Sequence, residues 1–352
     1  MVEKTIEGVS ISHLEGETLS PRSPVAMAPI IVALLVVGLL FSTPYFGTDL
    51  VALAPGPTRD AQKLMTIDAT TYSSQGRFYI TTALVSPGGI SMAEAIKGWL
   101  DPLVSIYPKD AIYPPDRSEK QATLVQARQM SDSQRDAAFA ALRELGIPLD
   151  VDGLNIEQVG SKIPASKSLK PGDVLLEADG MVLSRVGDLT ERVQDRAVGD
   201  PIHLRFRRGN QVREADVRTI ASTTKGKEGK PAIGITVTLN ARLPFKVEID
   251  AQGIGGPSAG LVFAIGVYDL LTSQDLTGGR VIAGTGTIDP EGQVGAVGAI
   301  TQKIAGAEHR HAQVFLVPRD EYKEAKAALH SNMQLIPVST LGEAIQALRN
   351  LR

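Results

Sequence analysis

The sequence predicts a mixed α/β (α+β) protein with a β-rich module inserted in it and one N-terminal transmembrane helix. Three observations support this fold class: an apolar run near the start, short strands with one helix between residues 146 and 220, and alternating strands and helices after residue 231. Alternation of strands and helices is typical of mixed α/β layers, and uncharged stretches of about 20 residues are typical of membrane helices.

The composition is that of a large globular protein. Its 352 residues are 43% hydrophobic and 21% charged, which suits roughly two or three domains of about 150 residues each. The 36 basic and 39 acidic residues give no sign of nucleic-acid binding. The chain has no cysteine, which excludes disulfides, thiolate catalysis and cysteine-bound zinc or iron–sulfur clusters.

The apolar run predicts a transmembrane helix over residues 23–46, preceded by a tail over residues 1–22. The stretch 25–41 contains no charged residue. Tyr45 and Phe46 follow it, where interfacial aromatic residues occur in membrane helices. The sequence therefore predicts a single-pass membrane protein.

The basic residues on either side of the run predict its orientation. Arg22 precedes the run and the next basic residue is Arg59, so the positive-inside rule predicts a cytoplasmic N-terminus and an extracytoplasmic remainder. The alternative is a cleaved signal peptide with Ala52-Leu53-Ala54 as its cleavage site. The four acidic residues before the run and Pro55 after the site argue against it.

Residues 47–63 are predicted to be a linker, and residues 64–145 the first part of an α/β domain. Alternating apolar residues predict a hairpin at the start of this part. Ser91 and Glu94 form a capping box for the first helix. A second helix is expected from Ser133 to Leu145.

Residues 146–220 are predicted to form the β-rich module. Within them, residues 169–180 read Leu-Lys-Pro-Gly-Asp-Val-Leu-Leu-Glu-Ala-Asp-Gly, and a hairpin is expected around Gly209-Asn210. The segment resembles a PDZ domain, a fold that binds a peptide as an added strand. The resemblance implies a peptide-binding loop at Val151, Asp152, Gly153 and Leu154. The alternative is a PDZ fold that serves as a spacer.

After a linker at residues 221–230, the second part of the α/β domain is expected over residues 231–352. Residues 253–260 read Gly-Ile-Gly-Gly-Pro-Ser-Ala-Gly, and an almost wholly apolar helix follows. Ser258 is therefore expected at the N-terminus of a buried helix, where backbone N–H groups and the helix dipole favour a developing oxyanion. The position suits an attacking serine and also an N-cap serine without a chemical role.

A serine nucleophile needs a base, and Lys303 is the candidate. Ile300, Lys303, Ile304 and Ala307 fall on one face of a predicted helix, so the lysine shares the apolar stripe. Burial lowers the pKa of an ammonium group toward neutrality, as a general base requires. The alternative is a lysine that extends from the core toward water.

The motif Gly256-Pro-Ser-Ala-Gly260, with Lys303 45 residues after Ser258, resembles the proteolytic domain of Lon proteases. The resemblance implies that Ser258 is the nucleophile, Lys303 the general base and Thr285 the residue that orients the lysine. It implies a serine endopeptidase without a cofactor, whose backbone turn supplies oxyanion contacts. The turn residues are Gly255, Gly256, Pro257 and Ala259.

With the predicted membrane helix and PDZ module, the chain resembles the YlbL-like Lon proteases of bacteria. Gly255 stands where Lon proteases commonly have an acidic residue. Residues 226–230 lack the spacing of a nucleotide phosphate loop, so no ATP is expected. The expected partners are protein or peptide substrates and the membrane, with no nucleic acid. The resemblance leaves room for a homo-oligomer.

Two alternative functions remain at this stage. Ser258 also satisfies the G-x-S-x-G pattern of α/β-hydrolases. An esterase of that kind would need a histidine, and His309, His311 and His330 follow in the chain. The other alternative is a PDZ adaptor whose proteolytic domain is inactive.

Overall fold

A computed structural model describes residues 29–35, 38, 48–86, 88–113, 119–224, 226–251 and 253–351. The predicted tail over residues 1–22 and most of the predicted membrane helix lie outside these residues. Residues 29–35 and 38 are helical, and the side chains of Ile30 and Leu35 are more than half exposed. Within the described ranges, no helix is long and apolar enough to cross a bilayer.

The part of the chain before the β-rich module supplies strands to several small sheets. Its elements are β1 (Leu50–Pro55), β2 (Arg59–Asp60), β3 (Met65–Ile67), β4 (Arg77–Ile80), β5 (Ala83–Val85), α1 (Met92–Leu100), β6 (Ser105–Pro108), α2 (Lys109–Ile112) and α3 (Glu119–Glu144). Strands β5, β1 and β6 form an antiparallel sheet in that order, which leaves β5 at an edge.

Two helix predictions are tested by this part. The capping box is confirmed, because Ser91 N–H donates to the Glu94 carboxylate at 2.8 Å and Glu94 N–H donates to Ser91 Oγ at 3.2 Å. Helix α3 begins well before Ser133, where the second helix was predicted to start. Its first half is largely exposed and polar, and so carries no apolar periodicity that could have predicted it.

The β-rich module is an antiparallel sheet packed on one helix. Its elements are β7 (Asp150–Val159), β8 (Val174–Ala178), β9 (Met181–Val182), α4 (Val186–Gln194), β10 (Pro201–Arg208), β11 (Gln211–Arg218), β12 (Ile220–Ala221), β13 (Pro231–Ala232) and β14 (Ile235–Arg242). The sheet order is β11-β10-β8-β7-β14, and β9 pairs with β8. The predicted hairpin around Gly209-Asn210 joins β10 and β11.

The sheet of this module continues past residue 220, the predicted boundary. Strand β14 pairs with β7 along most of its length. The segment 221–230 was predicted to be a linker. Its first residue ends strand β12, and the remainder is a loop between the paired strands β12 and β13. Its polar, glycine-bearing composition suits both a linker between domains and a loop within one domain. Composition alone therefore could not show that the chain returns to the same sheet.

The part after the module contains four helices among the described residues and most of a largely parallel sheet. Its elements are β15 (Val247–Ile249), α5 (Gly260–Leu270), β16 (Val281–Gly284), β17 (Thr287–Ile288), β18 (Val294–Gly295), α6 (Ile300–His309), β19 (Val314–Pro318), α7 (Tyr322–Ala328), β20 (Gln334–Val338) and α8 (Leu341–Asn350). The sheet order is β2-β4-β16-β19-β20, with β4, β16, β19 and β20 parallel. Strands from before and after the module therefore share one sheet.

Helix α5 lies at the centre of the main core. Every residue from Gly260 to Asp269 is buried, as the apolar sequence of this helix predicts. Helices α3 and α8 pack against it, and Phe78 and Ile80 of β4 belong to the same core. Helix α5 therefore gives the turn before it a rigid support.

Candidate active site

The glycine-rich turn holds Ser258 immediately before the buried helix. Gly253 and Gly256 have φ angles of +78° and +82°, in the left-handed region that glycine adopts without strain. Ala259, not Ser258, is the N-cap of α5, and no side chain caps the helix. The structure therefore does not support the reading of Ser258 as an N-cap serine.

The connection between strands β16 and β17 holds the backbone of Ser258 in place. The Ser258 carbonyl oxygen accepts hydrogen bonds from the Thr285 hydroxyl at 3.0 Å and from the Gly286 N–H at 2.9 Å. Thr285 is fully buried. Its observed contact thus positions the serine, while its predicted role in orienting Lys303 stays a prediction.

Helix α3 fixes the same turn from the other side. The Ser133 hydroxyl donates to the Pro257 carbonyl at 3.0 Å, and the Gly256 N–H donates to the Gln126 carbonyl at 3.1 Å. A Cβ on Gly260 would lie 2.7 Å from Ser133 Oγ, so only glycine allows this approach. Ser133 and Gln126 were not among the predicted site residues, because isolated polar residues of a helix carry no motif.

The amide groups available for an oxyanion are fewer than the sequence suggested. The N–H groups of Gly256, Gly260 and Leu261 donate to backbone carbonyls, and Pro257 has no N–H. Gly256 and Pro257 were predicted oxyanion contacts, and the structure contradicts that role for both. Among the described hydrogen bonds of the turn, none occupies the N–H groups of Ser258 and Ala259.

Lys303 is buried in helix α6, and only 4% of its surface is exposed. Ile300, Ile304 and Ala307 are buried beside it, which confirms the predicted apolar stripe. Burial lowers the pKa of Lys303 to about 8, and the Glu321 carboxylate opposes this shift. A substantial fraction of such a lysine is neutral near pH 8 and able to accept a proton.

Glu321 lies near Lys303 and is held in place by the backbone. Its carboxylate accepts a hydrogen bond from the Val297 N–H at 3.0 Å. Burial raises the pKa of Glu321, while that hydrogen bond and the charge of Lys303 lower it. The negative charge of Glu321 therefore limits how far burial lowers the pKa of Lys303.

Ser258 and Lys303 line one cavity of about 490 Å³. Its walls include the turn 253–256, the edge strand β5, and Gln126 and Gln129 of α3. Gly298 and Ala299 complete the wall beside the lysine. As the candidate active site, this cavity is named the catalytic cleft. It brings together the two residues that the sequence pairs across 45 positions.

The histidines that an esterase would need lie elsewhere. His309, His311 and His330 are exposed, and none lines the catalytic cleft. In the described part of the chain, no group of three or more His, Asp or Glu side chains could hold a metal ion. Among the described residues, Lys303 therefore shares the cleft with Ser258, and no histidine does.

The predicted peptide-binding loop of the module is wrong. Val151 and Leu154 lie on β7, whose residues pair with β14 on one side, and Leu154 pairs with Leu175 of β8 on the other. Asp152 forms an ion pair with Arg207, and Leu154 is completely buried. A strand with neighbours on both sides has no free edge for a peptide.

The module has a groove elsewhere, between α4 and the edge strand β14. This cavity of about 360 Å³ is lined by Val186, Leu189 and Val193 of the helix, by residues 230–237, and by Lys227. Ile233-Gly234-Ile235 opens the strand, with Gly234 at φ +70°. The sequence signal was present in this hydrophobic-glycine-hydrophobic triplet, but the triplet lay beyond the predicted boundary.

The helix of the groove also touches the part that carries Ser258. Val186 N–H, at the first turn of α4, donates to the Glu291 carboxylate at 3.0 Å. Arg143 of α3 donates to the Ser184 carbonyl at 3.0 Å. Two hydrogen bonds therefore join the groove side of the module to the turn between β17 and β18 and to α3.

Two family models match the chain. A model described as the PDZ domain matches residues 126–219, and one described as the Lon protease (S16) C-terminal proteolytic domain matches residues 216–350. The chain carries a PDZ domain and a Lon-type proteolytic domain. The Lon-type domain is that of a serine peptidase, and both Ser258 and Lys303 fall within its matched residues.

Individual relatives match parts of the chain. The Lon protease of Campylobacter jejuni is 26% identical over 95 residues, which are 26% of this chain and 12% of that protein. The PDZ domain of the SdrC-like protein of Listeria monocytogenes is 28% identical, covering 26% of this chain and 92% of its own, with a TM-score of 0.24. The corresponding Listeria innocua domain is also 28% identical, covering 24% and 93%, with a TM-score of 0.23. The chain thus spans about an eighth of the length of the curated relative.

Proposed function

We propose that the chain is a membrane-anchored, ATP-independent serine endopeptidase in which Ser258 and Lys303 form a catalytic dyad. The observation that carries the proposal is that these two side chains line one cleft and that burial lowers the pKa of Lys303 to about 8. A buried, partly neutral lysine beside a serine is the arrangement that activates a hydroxyl without a histidine.

The chemistry assigns a separate task to each group. Neutral Lys303 accepts the proton of the Ser258 hydroxyl while the serine oxygen attacks the scissile carbonyl. The protonated lysine then donates a proton to the leaving amine. The N–H groups of Ser258 and Ala259 are the proposed donors to the oxyanion. Thr285, Gly286 and Ser133 keep the turn in position through its carbonyl groups.

The cleft favours an extended and flexible substrate. Strand β5 is an edge strand, and its residues Ala83, Leu84 and Val85 line the cleft beside Ser258. A peptide added to that edge would pass the serine as an extended strand. Leu84, which is 59% exposed, offers an apolar contact to such a peptide. Flexible segments of proteins are therefore the proposed substrates.

The PDZ groove is the proposed recruitment site for those substrates. A peptide can add to the free edge of β14, with its apolar side chains against Leu189 and Val193. Lys227 and Lys230 at the same groove suit a terminal carboxylate. Residues 23–46 remain the proposed membrane anchor, with an extracytoplasmic catalytic part. A homo-oligomer also stays a proposal.

The proposed function is tested with the full chain in detergent, supplied with casein and no ATP. We expect cleavage products, and we expect a peptide boronic acid to block cleavage because boron binds an activated serine oxygen. Mass spectrometry of a fluorophosphonate adduct should locate the label on Ser258. Cleavage that continues after complete labelling of Ser258, or labelling of another serine, would contradict the assignment.

A further inference from the structure

A second cavity, of about 400 Å³, lies beside the catalytic cleft and is strongly basic. Its charged lining consists of Arg59, Lys63, Arg77, Arg310 and one acid, Asp60. Four cations against one carboxylate give this cavity a formal charge of +3, within a chain whose net charge is −3. We call it the basic cavity. Its charge favours an anionic ligand.

Two of the four cations are already engaged within the protein. Arg77 pairs with Asp60 at 3.0 Å. Arg310 donates from Nε to Thr58 Oγ1 at 2.5 Å and lies over the ring of Tyr79, 5.4 Å from its centre. These contacts hold the two guanidinium groups in the cavity wall.

The other two cations supply the charge that a ligand can neutralise. Arg59 and Lys63 are exposed, and no acidic side chain in the described ranges forms an ion pair with either of them. Asp60 compensates Arg77, whereas the contacts of Arg310 are with the uncharged Thr58 and Tyr79, so the charge of Arg310 adds to that of Arg59 and Lys63. Guanidinium and ammonium groups together suit a carboxylate.

The basic cavity adjoins the catalytic cleft. Arg59 lines both cavities. Helix α6 also connects them, because Lys303 faces the cleft and Arg310 follows the last turn of the same helix. From Lys303 to Arg310 the chain advances seven residues, which corresponds to about 10 Å along a helix. About three residues of an extended peptide cover the same distance.

From this arrangement we propose that the basic cavity binds an acidic side chain of the substrate, about three residues from the bond that Ser258 cleaves. The substrates would then be flexible segments with an aspartate or glutamate at that spacing. The inference rests on the proposed endopeptidase function and adds a specificity site to it. Lys63 lines the basic cavity and does not line the cleft, so it is the residue to change.

The first measurement maps cleavage sites in a peptide library by mass spectrometry, with the wild-type full chain and Lys63→Glu. In the wild type we expect Asp and Glu to be enriched about threefold or more at one position, about three residues from the cut and on one side only. Lys63→Glu should abolish the enrichment and leave cleavage at sites without an acid unchanged. Lys323→Glu, an equal charge change at an exposed site of α7, should keep it.

The second measurement does not depend on cleavage, so it separates failure of this site from failure of the proposed function. Binding of fluorescent hexaglutamate and hexaglutamine is compared on the Ser258→Ala full chain. We expect hexaglutamate to bind at least about tenfold more tightly, to lose that advantage in Lys63→Glu, and to weaken with salt.

Three outcomes would overturn the proposal. One is equal binding of the two peptides, and another is acid enrichment that survives in Lys63→Glu. The third is a loss of binding to vesicles of anionic lipid in Lys63→Glu with hexaglutamate binding unchanged, which would assign the cavity to a membrane surface. If hexaglutamate binds as expected and no peptide is cleaved, the result supports acid binding by the basic cavity and contradicts the endopeptidase assignment.

Discussion

Replacement of Lys303 by methionine is expected to lower kcat/KM for an unstructured substrate by about 10³-fold, because the proposed general base is lost. Methionine retains an apolar, unbranched side chain of similar length, so the buried site stays filled. Ser258→Ala should show a loss at least as large. Lys323→Met, at an exposed position of α7, is the matched control and should cleave like the wild type.

The pH dependence of the wild type should report the same lysine. Lys303 acts as a base only when neutral, and its pKa is about 8. We therefore expect kcat/KM to fall about tenfold per pH unit below 8 and to level off above it. A profile that is flat between pH 6 and pH 9 would contradict the role of Lys303.

Stability measurements separate loss of the base from misfolding. A pKa of about 8 in place of 10.5 corresponds to about 3 kcal/mol of burial cost for the protonated lysine. Because the unfolded chain binds more protons than the folded one between these two values, wild-type stability rises with pH from 8 to 10.5 and is lowest below 8. Lys303→Met removes the cost, so at pH 7 it should be more resistant to urea than the wild type. An inactive variant with lowered stability would indicate misfolding.

Much of the candidate site could be predicted from the sequence because its key residues lie in local patterns. A glycine-rich turn before an apolar helix predicted the setting of Ser258, and the apolar stripe around Lys303 predicted its burial. Both patterns act within one element and its neighbour, where residue spacing determines which side chains share a face.

Contacts between distant elements left no such pattern. The hydrogen bonds from Ser133 and Gln126 to the turn depend on how α3 crosses α5, which neither helix encodes alone. The PDZ groove was misplaced because strand β14 joins the sheet from beyond a loop that resembles a linker. Sheet order is decided by long-range pairing, and while β14 was assigned to the other domain, the strand that covers this side of β7 was missing.

Replacement of Gly153 by alanine is expected to unfold the PDZ domain or to destabilise it by more than about 3 kcal/mol. Gly153 lies in a bulge of β7, where Asp152 and Gly153 face the single residue Asn240 of β14. Its φ angle is +94°, and an added Cβ would lie 2.2 Å from the Leu175 carbonyl oxygen of β8. Left-handed strain alone costs about 1–2 kcal/mol, and the clash requires β7 and β8 to separate.

Gly172→Ala separates strain from clash. Gly172 has φ +88°, and nothing lies within 4 Å of an added Cβ, so this variant should lose only about 1–2 kcal/mol. Hydrogen exchange followed by mass spectrometry resolves the two domains. In Gly153→Ala we expect fast exchange in β7 and β8 with α5 still protected, because α5 is buried in a separate core. Equal protection of β7 in the two variants would contradict the bulge geometry.

Gly153→Ala also tests what the PDZ domain contributes to cleavage. If the groove between α4 and β14 recruits protein substrates, Gly153→Ala should raise KM for casein and leave kcat/KM for a short peptide unchanged, because the short peptide needs only the catalytic cleft. A loss of both activities would instead indicate that two contacts support the catalytic part: the hydrogen bond from Val186 N–H to Glu291, and the one from Arg143 to the Ser184 carbonyl. Unchanged cleavage of both substrates, with β7 exchanging fast, would exclude recruitment by this groove.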